Sequence, residues 1–310
     1  MKVAEFPRPD SLNAMSFSPD VRYLALAGGE NMSLGSRGYL IVWDLKEGKQ
    51  LRRADGKQAY RQVAFTPNGQ KLVAASYYEV DVWDLAGWNR TSLGGHWSYI
   101  GGIAISQSGK MLAVTGRMPV SLTPPGIVVY DLPTGKILQT FRGTFMNAIA
   151  FSPDSSLLAA AGDSDITLWN TRTWNTEATL SPPVTAPKAE VPITIRRLNL
   201  LNNADYLAVD VFTQMHIWDR RRSKLLWSVP YTQAAVSSDG RKLATVIRDS
   251  KTDTFSLALR ELPAEAPVAS WDVGRSYPEA FALSSDATLV SWGTHEKNPA
   301  SEKVFVFRMR

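Results

Sequence analysis

Seven times along the chain a short apolar run closes on a bulky residue and then a polar one, at nearly even intervals. The runs are LIVWDL (40–45), VDVWDL (80–85), IVVYDL (127–132), ITLWN (166–170), MHIWD (215–219), FSLALREL (255–262) and VFVFR (304–308). The bulky position is Trp43, Trp83, Tyr130, Trp169 and Trp218, with Leu259 and Phe307 in its place in the last two copies. Successive spacings are 40, 47, 39, 49, 41 and 48 residues. A turn keeps step with these runs: FSPD (17–20), FTPNG (65–69), ISQSG (105–109), FSPD (151–154), LLNNA (200–204), VSSDG (236–240) and LSSDA (283–287). A unit this short cannot bury its own faces, so neighbouring copies must cover one another.

Within a copy the pattern is β throughout. Residues 146–170, MNAIAFSPDSSLLAAAGDSDITLWN, contain three strand-like runs, Met146–Phe151, Leu157–Ala161 and Ile166–Trp169, separated by two turn signals. A period of about 40–45 residues carrying a Trp-Asp pair marks a four-stranded propeller blade. On these residues the sequence resembles the WD-repeat β-propeller family over essentially its whole length. The regular FSPD and SSDG turns resemble those of bacterial members. The resemblance implies an all-β, seven-bladed β-propeller of four-stranded antiparallel blades, one domain over residues 1–310. The last copy ends on its third strand, so Val3–Phe6 is expected to supply the fourth and close the ring.

Family members often place a Gly-His pair before the first strand and an Asp six residues before the Trp, joined to a Ser/Thr and the indole in a buried network. Here only copy three has the pair, Gly95-His96, and the Asp appears as Asp163 in copy four and, more weakly, as Asp253 in copy six. No copy holds both ends of the network. The expectation is that His96 and Asp163 are structural, that the indole N–H groups find other partners, and that the blades depend on packing.

Composition narrows the chemistry. Of 310 residues none is Cys, which removes thiolate catalysis, disulfides and Cys-ligated metal. Three His (His96, His216, His295) lie in different copies without metal-ligand spacing, so no metal and no cofactor is expected. Phosphate-loop and nucleophile-elbow motifs are missing. Asp44, Asp84, Asp131 and Asp219 recur with the repeat and read as turn residues. The net charge of +5 is small for the length, and DRRRSK (219–224) reads as a solvated turn. The Pro-rich 181–192 reads as an inert loop. No apolar run is long enough to span a membrane and the N-terminus lacks an apolar signal core, so a cytoplasmic protein is expected.

Insertions point to a face. From the second-strand Leu to the bulky position, copies two, four and five take 11 residues, whereas copies one, three, six and seven take 19, 18, 16 and 18. All four expansions are placed in the loop joining the second and third strands, on the top face of the propeller. The candidate partner-binding residues on that face are Arg37, Tyr77, Tyr78, Tyr99, Arg117, Phe145, Arg248, Tyr277 and His295. Arg and aromatic residues are the types enriched where proteins meet. The sequence therefore reads as a non-enzymatic scaffold for a protein or peptide, a monomer or part of a larger complex. A basic propeller on nucleic acid through Arg37, Arg117, Arg248 and 219–224 is the alternative. A hydrolase or lyase at the channel mouth comes third.

Overall fold

The computed structural model describes residues 1–7, 11–29, 37–93, 99–117, 125–142, 146–162, 165–181, 195–201, 204–211, 214–275, 277–295 and 303–309. Every described strand lies in one of seven four-stranded antiparallel sheets, and no helix occurs among the described residues. The chain opens with β1 (Lys2–Pro7). Blade 1 follows as β2 (Leu12–Phe17), β3 (Tyr23–Gly29), β4 (Gly38–Asp44) and β5 (Lys49–Gly56). Blade 2 is β6 (Gln62–Phe65), β7 (Lys71–Ala75), β8 (Val80–Asp84) and β9 (Arg90–Leu93). Blade 3 is β10 (Tyr99–Ile105), β11 (Met111–Arg117), β12 (Pro125–Asp131) and β13 (Lys136–Arg142). Blade 4 is β14 (Ala148–Phe151), β15 (Leu157–Ala161), β16 (Ile166–Asn170) and β17 (Thr176–Leu180). Blade 5 is β18 (Ile195–Leu201), β19 (Tyr206–Val211), β20 (Gln214–Asp219) and β21 (Lys224–Pro230). Blade 6 is β22 (Gln233–Val236), β23 (Lys242–Asp249), β24 (Thr254–Glu261) and β25 (Pro267–Gly274). Blade 7 is β26 (Tyr277–Leu283), β27 (Leu289–His295) and β28 (Lys303–Arg308), completed by β1. These are the blades of an all-β, seven-bladed propeller, as expected.

Two compact units divide the chain. One holds Met1–Gly94, Tyr231–Ser238 and Lys242–Arg310; the other holds Gly95–Pro230 and Asp239–Arg241. In the first, the expected N-terminal strand is found: Glu5 faces Phe305 and Phe6 faces Val304 in antiparallel register. Phe6 then stacks on Trp43 of blade 1 with ring centroids 4.4 Å apart, so the strand both completes one blade and covers the next. Glu5 receives Lys2 Nζ at 2.7 Å and an ion pair from Lys303 across the ladder. Those hydrogen bonds, Lys2 first, hold its carboxyl down to about 2 from an ordinary 4.5. A depressed folded-state value means the pairing is fully present above 4.5 and is lost as pH falls from 4.5 through about 2. Amide exchange in β1, normalised for intrinsic rates, should therefore speed up across that window in the wild type. Glu5→Gln should show no step, and salt should flatten the wild-type step because the pair is exposed.

The repeat turns show why the sequence recurs as it does. In the first hairpin of each blade one residue adopts a left-handed conformation: Val21, Gly69, Gly109, Ser155, Ala204, Gly240 and Ala287. In every blade but the fifth, where Leu201 holds the position, the hydroxyl of the Ser or Thr ahead of it accepts a backbone N–H five residues on, as Ser18 does from Tyr23 at 2.8 Å and Ser152 from Leu157 at 2.9 Å. The Asp after the bulky residue caps the next hairpin. Asp44 Oδ1 accepts Lys46 N and Glu47 N, both at 3.0 Å, Asp84 Oδ1 accepts Gly87 N at 2.9 Å, and Asp219 Oδ1 accepts Arg222 N at 2.9 Å. Asn170 does the same for Arg172 and Thr173. A short polar side chain that satisfies loop amides is a turn device, which accounts for this residue without catalysis.

The large rings fill the seams between blades. Trp169 of β16 lies 4.6 Å from Phe141 of β13 in the preceding blade. Trp83 lies in a cluster that the small Ala54 of β5 also borders, and Trp88 from its own blade stacks on it at 4.9 Å. Packing thus carries these seams, as expected, but the indole nitrogens do not behave as expected. Among the described residues, Trp43, Trp83 and Trp218 have buried Nε1 atoms with no hydrogen-bond partner. Among the described residues nothing replaces the family network there, and the indoles serve as flat apolar plates.

Copy six needs a correction. In the other six blades a second-strand apolar residue pairs with the bulky position: Leu24 with Trp43, Leu72 with Trp83, Leu112 with Tyr130, Leu158 with Trp169, Leu207 with Trp218 and Val290, one residue past the Leu289 used in counting, with Phe307. In blade 6 the equivalent Leu243 pairs with Arg260, not Leu259. Arg260 is 7 % exposed, its Nη1 donates to Thr245 Oγ1 at 2.7 Å and its Nε to the Glu265 carbonyl at 2.8 Å. A guanidinium with polar partners thus occupies the place of the indole, and desolvation lowers its pKa.

Candidate functional site

The expected expansion of copy six is not an open loop. β23 and β24 run on until Asp249 pairs with Thr254, leaving a four-residue turn. Arg248 is consequently a strand residue opposite Phe255, and its guanidinium is tied to Asp253 Oδ1 by Nη2 at 2.7 Å and Nε at 2.8 Å. Backbone pairing needs no apolar side chain, so RDSKTDTF carried no strand signal in the sequence.

The other expected residues fall into small groups. In the first unit, Tyr77 and Tyr78 sit together on the turn between β7 and β8, with ring centroids 6.1 Å apart. Ser76 Oγ accepts Tyr78 N at 3.3 Å and Glu79 N at 3.1 Å, which holds the turn. Tyr78 is 48 % exposed, and Arg61 lies over the Tyr77 ring at 4.5 Å. Sequence reasoning passed over Arg61. The available signal was an Arg immediately before the first strand of blade 2. Arg37 is exposed immediately before β4. Tyr277 and His295 are register partners at the ends of β26 and β27. In the second unit Tyr99 and Arg117 are likewise register partners, on β10 and β11. Tyr99 and Tyr277 are therefore the first residues of their strands rather than loop residues preceding them. Phe145, His96 and Asp163 lie outside the described residues.

The basic run is neutralised locally. Arg221 pairs with Asp205 at 2.6 Å, Arg222 with Asp219 at 3.5 Å, and Arg220 Nε donates to the Ala204 carbonyl at 2.6 Å. A phosphate backbone would have to compete with carboxylates for Arg221 and Arg222.

A buried polar cluster in blade 2 also escaped the sequence reading. Tyr60 OH donates to Asp81 Oδ2 at 2.6 Å, Ser92 Oγ donates to Asp81 Oδ1 at 2.5 Å, and Arg90 Nη1 stands 3.6 Å from Oδ2. Asp81 is 1 % exposed. Burial and then the Asp81 carboxylate push the Tyr60 phenol pKa up, so it remains a neutral donor. Asn13 Nδ2 of blade 1 donates to the Tyr60 carbonyl at 3.0 Å, and Tyr60 N donates to the Gly28 carbonyl at 3.2 Å. The cluster thereby fastens blade 2 to blade 1. The available signal was an Asp inside an otherwise apolar strand. Blade 5 has a counterpart two residues before its Trp, where His216 Nδ1 lies 2.6 Å from Ser228 Oγ and desolvation lowers the imidazole pKa. Both pairs join third strand to fourth within a sheet. Among the described residues no group of three or more His, Asp or Glu is arranged to hold a metal. No helix among them is long and apolar enough to cross a membrane.

Comparison with known proteins agrees with this architecture. Residues 135–170, from the outer strand of blade 3 through the third strand of blade 4, match the family model described as WD domain, G-beta repeat. The chain is a WD-repeat β-propeller. Among its relatives is a protein of Oryza sativa subsp. japonica named small ribosomal subunit protein RACK1y, 30% identical over 134 residues, which are 42% of this chain and 38% of that protein. Another, from Medicago sativa, is named small ribosomal subunit protein RACK1 and is 34% identical over 82 residues, 26% of this chain and 23% of that protein. The chain spans less than two fifths of the length of these relatives.

Proposed function

We propose that the protein is a non-enzymatic, cytoplasmic interaction scaffold, one propeller domain over 1–310, that binds a protein or peptide through its top-face loops. The observation that carries this reading is the turn of blade 2, where Tyr77 beneath Arg61 and the exposed Tyr78 sit together on a hairpin held by Ser76. Tyr and Arg on a fixed support give contact area at small entropic cost, the usual composition of binding hot spots. Tyr99 opposite Arg117 in blade 3 is a second Tyr–Arg pair, and Tyr277 opposite His295 in blade 7 is a Tyr–His pair. The captured arginines of 219–222 and the Arg248–Asp253 pair favour a protein partner over nucleic acid. Since both relatives are named as small ribosomal subunit proteins, a ribosomal protein is the first partner to seek.

Affinity capture from the native host's extract tests this, with the wild type beside Tyr78→Ala and Arg117→Glu, at low and high salt and with nuclease. A protein held at high salt should be lost from the variants, with affinity down roughly thirtyfold for a hot spot of about 2 kcal/mol. Capture abolished by nuclease would overturn the reading in favour of nucleic acid. Equal capture by wild type and variants would place the site on another face.

A further inference from the structure

Each blade ends in an outer strand whose second edge meets no strand of its own sheet. Such an edge offers N–H and C=O groups to any extended chain, and proteins blunt it with charge, proline or brevity. Most outer strands here are blunted so. β1 carries Glu5 and Pro7, β5 carries Arg52, Arg53 and Asp55, and β9 has four residues. β17 carries Glu177, and β25 begins at Pro267 and carries Asp272. β21 ends at Pro230 and keeps its apolar side chains at least half-covered. β13 is the least defended: its charges, Lys136 and Arg142, stand only at its two ends. From Ile137 to Phe141 it contains no charge and no proline, and Ile137 and Leu138 are 60% and 48% exposed.

Two features define what fits this edge. The first is chemical polarity along it. Lys136 and Arg142 cap the two ends, about 20 Å apart at the rise of a strand, both are exposed, and neither is in an ion pair among the described residues. A second copy of β13 lying antiparallel about Gln139 would set Lys136 against Arg142 at both ends, an unfavourable pairing of like charges. The second is a stand-in: the Thr140 N–H donates at 2.8 Å to Oε1 of its own neighbour Gln139, an amide oxygen of the kind an incoming backbone would offer.

We propose that the open edge of β13 is a strand-addition site for an extended peptide of about seven residues, acidic at both ends and β-branched between. Main-chain bonds supply the affinity, Ile137 and Leu138 the apolar contact, and Lys136 and Arg142 the register. This site is separate from the top-face loops and stands or falls independently of them.

The probe is a blocked, fluorescein-labelled Glu-Val-Thr-Val-Thr-Val-Glu peptide, followed by anisotropy. Beside it run a Lys-ended version and a version N-methylated at alternate residues. The acidic peptide should bind, the N-methylated one at least about tenfold more weakly, as expected for loss of strand pairing. Lys136→Glu/Arg142→Glu should reverse the preference to the Lys-ended peptide. Thr140→Pro should weaken binding of the acidic peptide; if that variant fails to fold, the charge swap on exposed residues still decides. Hydrogen exchange should slow on β13 and not on the 76–79 turn. Equal binding of acidic and Lys-ended peptides overturns the proposal, as does undiminished binding after N-methylation or no binding at about 1 mM. Self-association lost in Thr140→Pro would make a second copy the occupant and overturn it too.

Discussion

Trp169→Ala is expected to lower the free energy of unfolding by about 3–5 kcal/mol, the range for truncating a large buried aromatic. The indole is buried on β16 and packs against Phe141, with Val129, Ile149 and Leu158 in the same cluster. Two blades meet on this ring, so its loss opens a void that neither sheet can close alone. Urea unfolding measures the effect as a lower midpoint with the slope m unchanged. Phe141→Ala in the same background should be less than additive with it, since both substitutions empty one seam. Altered partner capture with full stability would instead mark 146–170 as a functional motif and not a blade.

The second large effect is expected at Gly38. A Cβ built there would stand 1.9 Å from the Gln58 carbonyl oxygen and 2.9 Å from Ala59 Cα, both backbone atoms that cannot swing aside. The neighbouring Gly28 is as tightly held, with the Ser11 carbonyl oxygen at 2.1 Å. Overpacking of side chains costs about 1–3 kcal/mol, and a clash between main chains belongs at or above the top of that range. Gly48→Ala is the matched control: nothing lies within 4 Å, and only its left-handed φ of 63° opposes a side chain, worth about 1 kcal/mol. Thermal unfolding of the two variants should rank Gly38→Ala well below Gly48→Ala. Equal melting temperatures would show that the 57–60 segment is loosely held.

What could be read from the sequence, and what could not, divides along physical lines. Strands and turns obey local rules, so the seven third strands, the Asp that caps a hairpin after Trp43, Trp83 and Trp218, and the N-terminal strand paired with β28 were all legible. Residue counting failed where local rules give no mark. In copy six the hairpin grows by paired polar residues, and the count lands on apolar Leu259 although register selects Arg260. Contacts between elements are a matter of assembly, not of local pattern. Tyr60 reaches Asp81 across 21 positions, and Arg61 comes to lie over Tyr77, because the segment entering blade 2 folds back along β7 and β8 of the same blade. The candidate face was legible only as residue types. Their grouping into Tyr77 with Tyr78, Tyr99 opposite Arg117, and Tyr277 opposite His295 required the register of the sheets.

The unbonded indole nitrogens bear on how such a chain drifts. Where a ring's polar atom is held by a network, only that ring will serve, and the signature is locked. At Trp43, Trp83 and Trp218 no such hold exists among the described residues, so the position asks only for a flat plate of about the right size. Tyr130 and Phe307 meet that demand in blades 3 and 7, and Arg260 shows that even a planar cation will do once Thr245 and Glu265 satisfy it. The architecture can therefore outlast its own spelling, which fits a chain of seven blades in which residues 135–170 match the family model.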